Sequence, residues 1–199
     1  MSSSAISSRG SRAGKLFVIT GPSGVGKGTL ISRLREAVPA LDLSVSATTR
    51  PPRQGERQGV HYHFMDSAEF DRQVAAGAFL EHADYASHRY GTLRSEVEPR
   101  LARGESVVLE IELQGARKVR ARDAEAQLVF LAPPSWAALV SRLAGRGSEP
   151  PAVQERRLAL AQAELDASGE FDVVVVNDDV ARAADELVRL LTAPPAEGP

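Results

Sequence analysis

Residues 15–29, KLFVITGPSGVGKGT, constrain the fold of this chain more than any other stretch. Four apolar residues, Leu16 to Ile19, run into a glycine-rich turn, and the turn opens a helical pattern, LISRLREAV. Gly21, Gly26 and Lys27 stand at the spacing of a phosphate-binding loop, G-x-x-x-x-G-K-[ST]. Glycines let successive N–H groups turn inward, the following helix adds its unpaired N-terminal donors, and the lysine offers a compact cation. The candidate loop is Gly21, Pro22, Ser23, Gly24, Val25, Gly26, Lys27, Gly28 and Thr29. Gly28 occupies the slot where a Ser or Thr normally gives a hydroxyl to Mg²⁺, and Thr29 comes one position late.

A strand–loop–helix of this kind needs a parallel sheet around it, and 199 residues suit one such domain with inserted subregions. The net charge of −2 gives no reason to expect nucleic acid or an anionic membrane as partner. The chain has no cysteine, which excludes disulfides and thiolate metal sites and fits a reducing, cytoplasmic setting. No run approaches the ~18 apolar residues of a membrane span. Residues 1–13 are Ser-rich without an apolar core and read as a disordered extension; residues 193–199 read as a loose tail.

Apolar strand patterns recur at Leu43 to Ala47, Ser106 to Ile111, Gln127 to Leu131 and Asp172 to Val176. Helical patterns follow at Lys27 to Val38, Gln114 to Arg122, Trp136 to Leu143, Pro151 to Ala167 and Val180 to Leu191. This alternation predicts an α/β fold with a parallel sheet covered on both sides. The long helix takes Val153, Leu158, Ala161 and Leu165 as inner positions, and Trp136 reads as a packing residue. Residues 49–90 change character: TTRPPRQGERQGVHYHF, a strand-like Val60 to Met65, a helix capped by Ser67 and ended by Gly77, then short strands at Phe79 to Tyr85 and Arg89 to Gly91. They read as an insertion, leaving 14–48, 91–141 and 168–192 as the core and 142–167 as a lid.

Three further constellations carry chemistry. The run VVLEIE ends a strand in Glu110 and Glu112, which share one strand face; their repulsion is relieved by a cation or a proton-donating ligand, or by surface arginines. Arg50 and Arg53 flank Pro51 and Pro52 in a stiff loop suited to phosphate oxygens, with Tyr62 and Tyr90 as hydroxyl donors; read alone, the pattern also fits a solvated basic loop. Arg142, Arg146 and Arg157 suit a mobile cationic lid, with Gly145 and Gly147 permitting a hinge; an exposed helix end is the plainer alternative. Arg117, Lys118, Arg120 and Arg122 read as a solvated helix face, and His61 with His63 lacks a third zinc ligand.

The motifs GPSGVGKGT, SVSATTRPPRQGE, VHYHF, FLEHADY with RYGT, EIELQGA, LAPPS, LAGRG and VVVVND together resemble the guanylate kinase family, within the P-loop nucleoside monophosphate kinases. The resemblance implies a three-layer α/β/α fold with a GMP-binding insertion and a mobile lid. It implies Mg²⁺-dependent phosphoryl transfer from ATP to GMP, and leaves a monomer and a homodimer equally open. Carried over by position, the GMP phosphate falls to Arg50, Arg53, Tyr62 and Tyr90, and the guanine to Ser46, Glu81, Gly91, Thr92 and Glu112. Lys27 and the loop fall to the ATP phosphates, Asn177 to the adenine, Thr29 and Glu110 to Mg²⁺ (through water for Glu110), and Lys27, Arg142, Arg146 and Arg157 to catalysis. Glu81 suits guanine because one carboxylate accepts from both N1–H and N2–H, whereas adenine presents an unprotonated N1. Glu110 and Glu112 depart from the family's usual aspartates, and Thr92 from a common serine. Two alternatives remain: a non-catalytic guanylate-kinase-like module that binds partner proteins, and a related kinase for another phosphorylated acceptor.

Overall fold

Residues 16–19, 107–109, 128–131 and 173–176 are continuously apolar, the signature of strands buried on both faces of a parallel sheet. The computed structural model describes residues 14–39, 41–85, 87–144 and 151–193, and it contains that sheet. β1 (Leu16–Thr20) lies at its centre between β7 (Val107–Glu110) and β8 (Gln127–Ala132). With β2 (Asp42–Leu43) and β9 (Val173–Val176) at the edges, the order is β2-β7-β1-β8-β9, all parallel.

Alternation along β1 divides the core. Phe17 and Ile19 pack against α1 (Lys27–Ala37) and α7 (Val180–Thr192) through Leu30, Leu34 and Leu187. Leu16 and Val18 pack the opposite way, against α3 (Arg94–Ala102) and α4 (Leu113–Arg122) through Val97 and Val119. Sheet and flanking helices form the three-layer α/β/α sandwich that the sequence pattern predicts.

A second sheet stands beside the carboxyl ends of the first. Its order is β4 (His63–Phe64), β3 (Ala47–Thr48), β6 (His88–Leu93), β5 (Phe79–Tyr85). The β3–β4 pair is parallel, and the other pairs are antiparallel. α2 (Ser67–Ala75) covers it with Phe70, whose ring stacks on Phe79 at 4.5 Å between centroids. α5 (Trp136–Ala144) and α6 (Pro151–Asp166) pack on each other through Leu139, Leu143 and Ala161.

Several expectations need correction. The run Leu43 to Ala47 is two strands rather than one: β2 pairs in the parallel sheet and β3 in the second, with the chain crossing between sheets at residues 44–46. Within Val60 to Met65 only His63 and Phe64 form a strand, β4, while Tyr62 makes an isolated bridge to Gln58. The cap of α2 is Asp66, whose side chain accepts from the Glu69 N–H at 2.7 Å; Ser67 is the first helical residue. Trp136 and Val153 are exposed at 40% and 39%, so neither packs as expected. The basic face of α4 is tied rather than merely solvated: Arg117 and Arg120 pair with Glu170 and Asp172. Lys118 and Arg122 donate to backbone carbonyls of β5. Among the described residues no helix is long and apolar enough to cross a membrane. The extension 1–13, residues 194–199 and the Arg146 turn lie outside the described residues.

Candidate active site

The phosphate loop leaves the carboxyl end of β1, where parallel strands open a crevice for ligands. Val25 N–H closes the turn on Pro22 O at 3.1 Å. Gly24 and Gly26 have φ of 86° and 98°, backbone that disfavours any other residue. A side chain on Gly26 would also meet Asn177 Nδ2 at 2.7 Å. Lys27, the first residue of α1, folds back and donates to Gly21 O. Thr29 is exposed, and a Cβ on Gly28 would meet nothing within 4 Å.

Three side chains from distant segments converge on this loop. Asn177, at the end of β9 and 3% exposed, donates to Val25 O at 2.7 Å. Its Oδ1 is buried with no hydrogen-bond partner among the described residues. Arg142 of α5 donates to Val25 O at 3.2 Å and to Asn177 O at 3.1 Å. Arg157 of α6 donates to Ser23 Oγ at 3.2 Å. Two of the lid arginines therefore rest on the loop.

Across from the loop lies a cavity of ≈ 210 Å³ between the two sheets. Lys27 and Glu110 line one wall, and Ser46, Tyr62, Glu81, Tyr90, Gly91 and Glu112 line the rest. Arg50 is almost buried beneath Tyr62, its guanidinium 5.2 Å from the ring centroid, and forms a two-pronged pair with Glu56 at 2.8 and 3.0 Å. Glu56 also accepts from the Arg53 N–H at 2.7 Å. These donors hold the Glu56 carboxyl well below the usual range, at about 2, and the same pairing raises Arg50. Neither arginine lines the cavity itself: Arg50 lies behind Tyr62, and the Arg53 side chain is exposed.

Glu81 is 4% exposed, and Thr92 directly opposite it in the β5–β6 ladder donates its hydroxyl to Oε1 at 2.8 Å. Burial raises the Glu81 pKa; the Thr92 hydroxyl and the Lys118 and Arg122 cations counter it. Thr92 is fully buried, so it reaches the cavity through Glu81 rather than directly. Glu110 ends β7, whereas Glu112 caps α4; the two still share the cavity wall. Partial loss of water around its carboxyl pushes Glu110 up, Lys27 pulls it down and Glu112 adds to the rise, although the residue as a whole is exposed. Glu112 Oε2 is buried with no hydrogen-bond partner among the described residues. Burial also raises Tyr62, keeping a protonated phenol at the cavity.

Sequence reasoning passed over Glu56, Tyr85 and Glu164. Tyr85 follows Glu81 and Ala83 along one face of β5, and that period of two was a usable signal. Glu56 lies six residues from Arg50 in a loop whose fold no pattern specifies. Glu164 looks like an ordinary helix residue, yet it is 2% exposed on α6, and its Oε2 has no hydrogen-bond partner among the described residues. Burial and the facing Glu112 carboxylate raise it to about 7, against the opposing pull of Lys27 and the Ser23 N–H.

A phosphate loop at the carboxyl edge of a parallel sheet, facing an arginine–tyrosine pocket on a second sheet, defines a P-loop protein built to bring two phosphorylated ligands together. The guanylate kinase family model matches residues 13–194. The chain is 57% identical to the guanylate kinase of Thermobifida fusca over 180 residues, 90% of this chain and 92% of that one. It is 56% identical to the guanylate kinase of Streptomyces coelicolor over 176 residues, covering 88% and 89%. The crystal structure of guanylate kinase from Anaplasma phagocytophilum superposes with a TM-score of 0.76 at 32% identity, covering 90% of this chain and 85% of that one. The chain belongs to the guanylate kinase family.

Proposed function

We propose that this protein transfers the γ-phosphoryl group of ATP to GMP, and to dGMP, giving ADP and the nucleoside diphosphate. The observation that carries the acceptor half is the buried Glu81 carboxylate beside the Arg50–Tyr62–Tyr90 cluster, across the cavity from Lys27. Glu81 accepts from N1–H and N2–H of guanine, and Thr92 keeps it in place. Ser46, Gly91 and Glu112 complete the base pocket. Arg50, Arg53, Tyr62 and Tyr90 hold the acceptor phosphate; Glu56 aligns the Arg50 guanidinium and anchors the Arg53 backbone for that task.

On the donor side, the N–H groups of Ser23, Gly24 and residues 26–29 and the Lys27 ammonium cradle the ATP phosphates. The unpartnered Asn177 Oδ1 suits the amino group of adenine. An oxygen of the acceptor phosphate attacks the γ-phosphorus in line as the bond to the β–γ bridging oxygen breaks, and ADP leaves. No covalent enzyme intermediate is needed. Lys27, Arg142, Arg146 and Arg157 stabilise the charge that rearranges on the moving group. Mg²⁺ on the ATP phosphates, which neutralises their charge when bound, is part of the proposal. Such an ion takes phosphate oxygens, waters and one or two carboxylates, and Glu110 beside Lys27 is a suitable one. Thr29, exposed in the first turn of α1, would offer a hydroxyl to the same ion. A cytoplasmic location fits the cysteine-free composition.

The test is ADP release from Mg²⁺–ATP with GMP, dGMP, AMP, CMP or UMP as acceptor. Turnover with GMP and dGMP far above the others is expected; no turnover with GMP overturns the proposal.

A further inference from the structure

α4 carries a glycine that its helix does not need. Gly115 lies in the first turn, and it is not among the glycines with positive φ, so its backbone would accept any residue. In a helix interior Gly costs about 1 kcal/mol relative to Ala. What the position does require is space. A Cβ there would stand 2.7 Å from Glu81 Oε2, 3.2 Å from Glu81 Cδ and 3.2 Å from Ile111 Cδ1. Glu81 has little room to withdraw, because it is buried and its other oxygen is held by Thr92 at 2.8 Å.

Two cations further along the helix tie it to the strand that carries this carboxylate. Lys118 follows Gly115 by three residues and Arg122 follows Lys118 by four, which places all three on one helical face. Lys118 donates to His82 O, and Arg122 donates to Leu80 O and, at 3.2 Å, to Phe79 O. The bonded carbonyls flank Glu81 on both sides along β5. The helix therefore grips β5 around Glu81 while presenting it with a bare backbone.

We propose that Gly115 determines selectivity for guanine by leaving room for the second oxygen of Glu81, with Lys118 and Arg122 as positioning residues that hold β5 at that separation. The inference rests on the reading of Glu81 as the guanine acceptor, and extends it to Gly115, which lines the same cavity, and to Lys118 and Arg122, which stand behind it. A carboxylate that must accept two parallel N–H bonds tolerates little rotation, so displacing one oxygen leaves a donor of the base unpaired.

The experiment compares Gly115→Ala with the parent protein. The expected result is a KM for GMP raised about tenfold or more. The KM for ATP should stay within about twofold, and the ratio of GMP to AMP turnover should narrow. The helix gains from Ala while the new contact strains the packing, so the melting temperature should change by only a few degrees. Adding Glu81→Asp shortens the colliding side chain by one methylene, so the Gly115→Ala, Glu81→Asp double variant should use GMP better than Gly115→Ala alone. An unchanged GMP KM in a folded Gly115→Ala protein overturns the proposal. Should that variant fail to fold, Lys118→Met and Arg122→Met test the same grip: a selective rise in GMP KM supports it, and no change in either overturns it. Absence of GMP turnover in the parent protein would instead refute the reading of the substrate.

Discussion

In the five-stranded sheet, the groups of the site sit at strand ends: Lys27 after β1 and Glu110 ending β7 line the cavity, and Asn177 after β9 braces the loop. In the four-stranded sheet they sit along the strand, where Glu81, Ala83 and Tyr85 line the cavity from one face of β5. The first arrangement leans on backbone. Glycine conformations shape the loop, and carbonyls of Gly21, Val25 and Asn177 hold Lys27, Arg142 and the Asn177 amide. The second leans on side-chain pairs, Arg50 with Glu56 and Thr92 with Glu81. A backbone cradle recognises phosphate of any nucleotide, whereas paired side chains can discriminate between bases. In the proposed reaction the large parallel sheet would supply the electrostatics and the small sheet the choice of acceptor.

Substitutions on the two sides should therefore separate kcat from acceptor KM. The largest effect belongs to the donor side: Lys27→Ala should lower kcat by about 10²–10³-fold with little change in GMP KM, read by coupled ADP release. Near-normal kcat would show that the loop backbone suffices. Next, Glu81→Gln places an N–H₂ group where guanine needs an acceptor; kcat/KM for GMP should fall about tenfold or more, and preference over AMP should shrink. Retained preference would move base reading elsewhere in the cavity. Glu56→Gln should loosen Arg50 and raise GMP KM about five- to tenfold without altering ATP KM. If kcat fell instead, the arginine pair would belong with the donor machinery.

The smallest effect concerns stability where the two sides meet. The folded-state pKa of Glu164 lies above its unfolded value of 4.5. Its contribution is therefore full below about pH 4.5 and is lost as pH rises through about 7. Glu164→Gln should match the parent protein's thermal stability at low pH and exceed it by on the order of a few degrees at pH 8. A gap that does not widen with pH would remove Glu164 as the source.

The donor half was legible in local patterns. An apolar run, glycines at fixed spacing and a lysine are sufficient to specify a strand, a turn and a helix start, because each is decided within a few residues. The acceptor half was legible only as residue types. Strands of two residues such as β3 and β4 carry no measurable period, so Leu43 to Ala47 read as one element when its ends join different sheets. The basic face of α4 misled for the opposite reason. Its pattern is that of a solvated surface, and only the neighbouring β5 turns Lys118 and Arg122 into clamps.

By itself, the sequence determined the parallel sheet, the phosphate loop and the inventory of arginines, tyrosines and carboxylates around them, since periodicity and glycine placement act at short range. Tertiary structure decided which of those groups meet. Arg142 reaches Val25 across 117 residues, Arg157 reaches Ser23 across 134, and Glu81 fits against Gly115 through packing of a strand on a helix. Such contacts have no local signature: they depend on how far the two sheets and their helices stand apart, and that distance is set by the whole packed core.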